Sequence, residues 1–121
     1  MTNIQTSKIY DLEERTLQFS KNIALYIKIL PRTISNIEYG RQLIRASGSV
    51  GANYIEANES LSKKDFVMRI KICRKEAKES AYWLRLIVET NDDKVTEAGM
   101  KYLKEAIELK KIFSAILQKS K

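Results

Sequence analysis

Apolar residues recur every three or four positions along almost the whole chain, which is the spacing of one face of an α-helix. The first segment carries one such stripe at Leu12, Thr16, Phe19, Ile23, Tyr26 and Leu30. The 121 residues include one proline and four glycines, too few for a fold of many short strands and turns. We therefore expect an all-α protein.

Breaks in this pattern divide the chain into four helices and a short tail at residues 1–10. We expect the helices at about residues 11–30, 36–60, 63–90 and 94–119. Pro31 ends the first helix because it moves the preceding residue out of the α region. Four long helices joined by short connections predict a single domain over residues 1–121, an antiparallel up-down four-helix bundle.

Polar residues mark the starts of the later helices. Ser35 or Asn36 is a candidate cap for the second helix. Ser62 begins Ser-Lys-Lys-Asp, which resembles a capping box for the third. Asp92 or Asp93 then caps the fourth helix.

A run of small residues at positions 46–52 includes Gly48 and Gly51. Either the second helix breaks there, or the small residues let a neighbouring helix approach closely. We favour a continuous helix, because the run contains no proline or Asn-Gly turn and the apolar period resumes at Tyr54.

The residues that are absent narrow the function. The chain has no histidine, which excludes Ser-His-Asp and Cys-His catalysis and histidine metal ligands. Cys73 is the single cysteine and falls on the core stripe, so we expect an inert buried thiol. No apolar run is long enough to span a membrane and the N-terminus lacks an apolar signal segment. We therefore expect a cytoplasmic protein without enzyme activity, cofactor, metal or membrane partner.

Positive charge is concentrated in two parts of the chain. The formal net charge is +7, and residues 63–85 carry eight basic and three acidic side chains. The candidate nucleic-acid-binding residues on the third helix are a seven-residue repeat and one neighbour: Lys64, Lys71, Lys78, Arg85 and Arg74. With the lysines of the fourth helix, they form a surface that could follow a phosphate backbone. The alternatives are a solvated face, or lysines that pair with acids of another subunit.

Apolar residues are in excess near the end of the third helix and on the fourth. A bundle helix needs only one apolar stripe, and surplus apolar faces usually become subunit contacts. We therefore expect a homo-oligomer with Tyr82, Trp83 and Leu86 in its interface. The alternative is a lid over one end of the core.

Three polar residues of the second helix, Arg45, Asn53 and Glu56, lie among small and apolar neighbours. They could build a site, or form a hydrogen-bonded network that fixes the helix register, and we favour the structural role. Glu56 with Glu59 or Glu76 could bind a metal between helices, but no Glu-x-x-His motif is present.

Two segments together carry a family resemblance. Residues 49–57, Ser-Val-Gly-Ala-Asn-Tyr-Ile-Glu-Ala, followed by Ser62-Lys63-Lys64-Asp65-Phe66, resemble the signature of the four-helix-bundle proteins encoded in intervening sequences of bacterial 23S ribosomal RNA genes, also labelled S23 ribosomal proteins. Residues 75–84 are similar to a common form of their third helix. The resemblance implies a homopentameric ring, and kinship with the accessory variability determinant of diversity-generating retroelements, a basic pentamer that binds nucleic acid and a reverse transcriptase. It also places Arg45, Asn53 and Glu56 at recurrent positions of the family.

Together these patterns predict a non-enzymatic oligomeric bundle that binds RNA or DNA through the third and fourth helices. The alternative is a protein-interaction scaffold, for instance an accessory subunit of a reverse transcriptase in a retroelement.

Overall fold

The helix boundaries lie close to the proline and the polar capping residues. The computed structural model describes residues 4–121, with side chains from Leu12 onward. That part of the chain contains four helices and no strand: α1 (Ile4–Lys28), α2 (Ile34–Asn58), α3 (Lys63–Thr90) and α4 (Asp93–Lys119). The prediction of an all-α chain with four helices is confirmed.

The limits of α3 agree with the sequence. Ser62 has an extended backbone and its hydroxyl accepts a hydrogen bond from the Asp65 amide at 3.1 Å. Asn91 is again extended and ends the helix. Asp92 occupies the cap position of α4 without a side-chain cap bond, and Asp93 has a φ of 46°. Aspartate is one of the few residues that tolerate this left-handed conformation, so the tight corner is compatible with the sequence.

Two predicted helix starts were wrong. α1 begins at Ile4 instead of residue 11, because neither proline nor glycine interrupts residues 4–10 and Ile9 continues the apolar stripe. α2 begins at Ile34 and is capped by Thr33, whose hydroxyl accepts from the Asn36 amide at 3.1 Å. Ser35 and Asn36 are therefore helical residues, since the extended segment after Pro31 reaches only to Thr33. α2 also ends at Asn58, two residues before the expected limit.

A pair of asparagines ties the two helix corners at one end of the bundle. Asn36 is buried, and its side chain donates to the Pro31 carbonyl and to Asn91 Oδ1, both at 2.9 Å. Asn91 donates back to Asn36 Oδ1 at 2.8 Å. The α1–α2 and α3–α4 corners therefore lie side by side, as an up-down-up-down order requires.

The core is formed by all four helices. α1 and α3 each pack against α2 and α4, and α3 has the more extensive contacts with both. The fully buried large side chains include Phe19, Ile23, Leu43, Val50, Ile70, Leu84, Ile87, Leu109 and Phe113. The fold is thus the predicted antiparallel four-helix bundle.

Small residues permit close contact between α2 and α1. α2 is continuous through Gly48 and Gly51. A Cβ atom at Gly51 would lie 3.0 Å from Thr16 Oγ1, closer than such atoms normally approach. The prediction of an uninterrupted helix with a close neighbour is confirmed.

The bundle core absorbs much of the apolar excess that we expected at a subunit interface. Leu84, Ile87 and Val88 of α3 are buried, as are Leu109 and Phe113 of α4. The physical reason is that α3 packs against two neighbours and buries a face wider than one stripe. Large apolar side chains are exposed on α1, α2 and the corner between them, at Leu17, Leu25, Ile29, Ile34, Ile37, Ile44 and Ile55. Others are exposed after α2 and on α3 and α4, at Leu61, Met68, Tyr82, Met100 and Ile107.

Candidate nucleic-acid interface

The exposed face of α3 carries the predicted basic repeat. Lys64, Lys71, Lys78 and Arg85 are all exposed, and Arg74 is half-buried beside them. They point outward because the core residues of the same helix occupy the opposite face. The structure therefore brings the predicted binding residues together on one side of one helix.

Alternating steps of four and three residues join this repeat to other exposed side chains of α3. We call the resulting row the outer stripe, and its members are Lys64, Met68, Lys71, Lys75, Lys78, Tyr82 and Arg85. Tyr82 thus lies between Lys78 and Arg85. Sequence reasoning assigned it to a subunit interface and its neighbours to nucleic acid, although the spacing of four and three residues was already visible in the sequence.

Among the described side chains, most cations of the outer stripe have no ion-pair partner. Arg85 Nε lies 2.6 Å from Glu89 Oε2, and this hydrogen bond and charge raise the pKa of Arg85 further above its usual range. Over the described residues, Lys64, Lys71 and Lys78 have no carboxylate within 4 Å. Like charges three or four residues apart on a helix repel one another, as Lys75 does with Lys71 and Lys78. A bound anion would relieve this unfavourable interaction.

A groove of about 640 Å³ runs between α2 and α3 beside the outer stripe. Arg45 of α2 lines it opposite Lys78 and the two aromatic residues Tyr82 and Trp83. The Trp83 ring packs between Tyr39 and Tyr82, with centroid distances of 6.0 Å and 5.1 Å. An aromatic cluster therefore borders the basic face.

Two acidic residues, Glu76 and Glu79, line the same groove. Partial burial raises the pKa of Glu76, with repulsion from Glu79 as the second cause, while Lys75 and Arg45 oppose the shift. The groove therefore contains acids as well as bases, and the free positive charge is concentrated on the outer stripe.

The predicted polar set on α2 does not form one network. Asn53 donates to the Ser49 carbonyl at 2.9 Å and accepts from Arg69 Nη1 at 3.1 Å. Arg45 lies eight residues from Asn53, roughly 12 Å along the helix axis, and Glu56 is exposed. Arg69 of α3 is the partner that sequence reasoning missed, because only the packing of α2 against α3 brings it near.

The lysines of α4 do not all extend the α3 surface. Lys101 and Lys104 line a separate groove between α1 and α4, together with Arg15 and Glu105. Arg15 and Glu105 form an ion pair with an N–O distance of 2.7 Å. These two lysines therefore lie in a groove separate from the outer stripe.

Other candidate chemistry is limited in the described part of the chain. Cys73 is fully buried, and burial raises the pKa of its thiol to about 12. From Leu12 onward, no group of three or more histidine, cysteine, aspartate or glutamate side chains is placed to hold a metal ion. No helix in residues 4–121 is long and apolar enough to cross a membrane.

Comparisons with known proteins match the fold. Residues 8–115 match the family model described as "23S rRNA-intervening sequence protein". The chain is also similar to a crystal structure from Bacteroides thetaiotaomicron, described as a protein with unknown function from the S23 ribosomal protein family. The two are 27% identical with a TM-score of 0.74, and the match covers 87% of this chain and 96% of the other. No curated protein matches the sequence.

Proposed function

This chain belongs to the 23S rRNA-intervening sequence protein family, and we propose that it is a non-enzymatic, oligomeric bundle that binds RNA or DNA through α3. The observation that carries the proposal is the outer stripe. Lys64, Lys71, Lys75 and Lys78 repeat along one exposed face. When such a row of cations binds a polyanion, the counterions condensed on the polyanion are released, and this release favours binding.

The excess charge supports a polyanionic ligand over an acidic protein surface. Eight basic side chains fall within residues 63–85, and the repeat of Lys64, Lys71 and Lys78 places one cation about every 10 Å along the helix. Nucleic acid presents negative charge at regular intervals over such a length.

A salt series of binding measurements tests the site. Titration of a short labelled RNA with wild-type protein should give an affinity that falls steeply with salt. The double variant Lys71→Gln/Lys78→Gln should reduce the slope of log K against log salt by about 1.4–1.8, since each lysine neutralises one phosphate.

The matched control removes the same charge from the other groove. Lys101→Gln/Lys104→Gln should leave the slope near the wild-type value, because these lysines lie between α1 and α4. Equal losses in the two double variants would mean that net charge alone governs binding, and the α3 site would be wrong.

Self-association is proposed through the α1–α2 face. A groove of about 750 Å³ there has an apolar floor that includes Ile37 and Ile44. Its cationic residues are Lys28, Arg32, Arg41 and Arg45. An apolar surface with a charged rim is typical of a subunit contact.

We infer that the partner of this groove is a second copy of the chain. The α3–α4 corner exposes acidic side chains at Asp92, Asp93 and Glu97. The Asn36–Asn91 hydrogen bonds hold this corner at the same end of the bundle as the basic groove. If two parallel copies lie side by side, the basic groove of one therefore faces the acidic corner of the next at the same end of the bundle. Such a contact joins two different surfaces of identical subunits, and it forms a ring when successive rotations return to the first copy. The family resemblance implies five subunits.

The alternative is that the protein is a scaffold for another protein, such as a reverse transcriptase. This alternative predicts a different result in the RNA titration and in a pull-down of the protein partner. A scaffold would bind RNA weakly, and neither pair of lysine substitutions would change the complex with its protein partner.

A further inference from the structure

We propose that Tyr82 is a base-stacking residue and that the ligand of the outer stripe is single-stranded nucleic acid. The inference rests on the proposed function and specifies which class of nucleic acid the basic surface binds. The juxtaposition that suggests it is an exposed aromatic ring within the outer stripe, between Lys78 and Arg85. Among the described residues Lys78 has no ion-pair partner, and Arg85 is paired with Glu89 at the surface.

The ring of Tyr82 is available to a ligand. The residue is 58% exposed, whereas Tyr26 and Tyr54 are buried in the core. In the part of the chain from Leu12 onward, the Tyr82 hydroxyl makes no hydrogen bond to another residue. Part of the Tyr82 ring is therefore accessible to a ligand.

Trp83 supports the ring from one side. The two rings are 5.1 Å apart between centroids and inclined at 75°, an edge-to-face contact. Such a contact covers at most one face of the Tyr82 ring. The other face is then free for a planar ligand, and the base would stack on a ring whose position is already restricted.

The cations lie at distances that suit a stacked nucleotide. Lys78 precedes Tyr82 by four residues, about 6 Å along the helix, and Arg85 follows by three, about 4.5 Å. Both side chains are long enough to reach the phosphates on either side of a base that stacks on Tyr82. Stacking supplies an attraction that any base provides, and the cations follow the backbone.

This arrangement distinguishes single strands from duplexes. In a duplex, both faces of each base are covered by neighbouring base pairs, so a duplex can use only the cations of the outer stripe. An unpaired base can use Tyr82 as well. Single-stranded RNA or DNA should therefore bind more tightly than a duplex of equal length.

The same geometry argues against Tyr82 as a subunit contact. Burial of Tyr82 between copies would also bury Lys78, which has no acidic partner among the described residues of its own chain, so such a contact would need a carboxylate from the second copy. Desolvation of an unpaired ammonium group is strongly unfavourable. The structure thus favours the α1–α2 face for self-association and leaves the outer stripe to nucleic acid.

The test compares three labelled probes of equal length: a single-stranded RNA, the corresponding single-stranded DNA, and a duplex. Tyr82→Ala should weaken binding of at least one single strand by about 5- to 150-fold, the range for loss of one stacked base. Affinity for the duplex and the salt slope should stay unchanged. The two single-strand probes show whether RNA or DNA is the better ligand.

Two further variants separate stacking from other effects. Tyr82→Phe keeps the ring and should bind like wild type. Met68→Ala removes another exposed apolar side chain of the outer stripe, 52% exposed, and should change single-strand affinity little. Trp83 fluorescence should change on single-strand binding by the wild type and less so with Tyr82→Ala, because the stacked base lies beside the indole.

The outcomes are distinguishable. If single strands and duplex bind equally and Tyr82→Ala has no effect, the stacking role is overturned while the basic site stands. If no probe binds even at low salt, the proposed function itself fails. If Tyr82→Ala leaves binding intact but dissociates the oligomer by light scattering, Tyr82 belongs to a subunit interface and the inference is wrong.

Discussion

Single residues determine how closely the helices of this bundle approach one another, and at Gly99 of α4 the absence of a side chain is what allows the contact. A Cβ atom at Gly99 of α4 would overlap the Tyr26 hydroxyl and Val88 Cγ1. The Tyr26 hydroxyl donates to the Val95 carbonyl at 2.7 Å, and burial, with a smaller contribution from Tyr102, raises its pKa to about 12. The contact of Gly99 with Tyr26, 73 positions earlier in the sequence, is visible only in the tertiary structure.

Gly99→Ala should destabilise the protein. Overpacking in a core costs about 1–3 kcal/mol, and the better helix propensity of alanine returns at most about 1 kcal/mol. We expect a net loss of about 1–2 kcal/mol in the free energy of unfolding, measured by urea denaturation.

Gly48→Ala is the matched control for this substitution. Its added Cβ would meet only Ser20 Oγ, at an ordinary contact distance of 3.8 Å. This variant should be as stable as wild type or up to about 1 kcal/mol more stable. A Gly99→Ala protein as stable as the Gly48→Ala protein would contradict the packing of α4 against α1 and α3.

The start of each helix depends on which side chain accepts hydrogen bonds from the free backbone amides of its first turn. Ser62 was identified from sequence because it is followed at the right spacing by Asp65, and the cap bond is present. The cap of α2 was missed because Thr33, Ser35 and Asn36 are all good capping residues. The local sequence does not show which of the three caps the helix. In the structure the Asn36 side chain is hydrogen-bonded to Asn91, a tertiary contact, so it does not act as the cap.

Ser62→Ala should reduce the free energy of unfolding by about 1 kcal/mol, because the Asp65 amide loses its acceptor. Thermal denaturation followed by circular dichroism measures the change. Ser62→Asp should restore the stability, since aspartate also caps helices well. If alanine and aspartate variants unfold at the same temperature, the side-chain bond contributes nothing to α3.

At the scale of the whole molecule, charge and apolar surface are distributed over different faces. The outer stripe of α3 is basic, the α1–α2 face combines apolar residues with a basic rim, and the α3–α4 corner is acidic. The sequence predicted a basic face on α3 and a tendency to associate through apolar residues of α3 and α4. It could not predict how the faces of different helices combine, because that depends on which helices are neighbours.

Self-association should be visible by light scattering as a species several times the 14.0 kDa chain mass. The variant Arg32→Glu/Arg41→Glu should dissociate more readily, because its groove would repel the acidic corner of the next copy. Addition of Asp92→Lys/Glu97→Lys to the same chain should restore assembly by exchanging the two charges. A wild-type protein that is monomeric at micromolar concentration would overturn the proposed contact.

The sequence by itself determined the fold class, the number of helices and the ends of α3, because helical periodicity and capping act over a few residues. It also determined that the basic residues of α3 share one face, since their spacing is a property of one helix. Only the tertiary structure decided which apolar residues are core, which lysines share a groove, and that Asn53 pairs with Arg69 instead of Arg45. These depend on contacts between helices far apart in sequence, and local patterns contain no information about the side chain that a neighbouring helix will present.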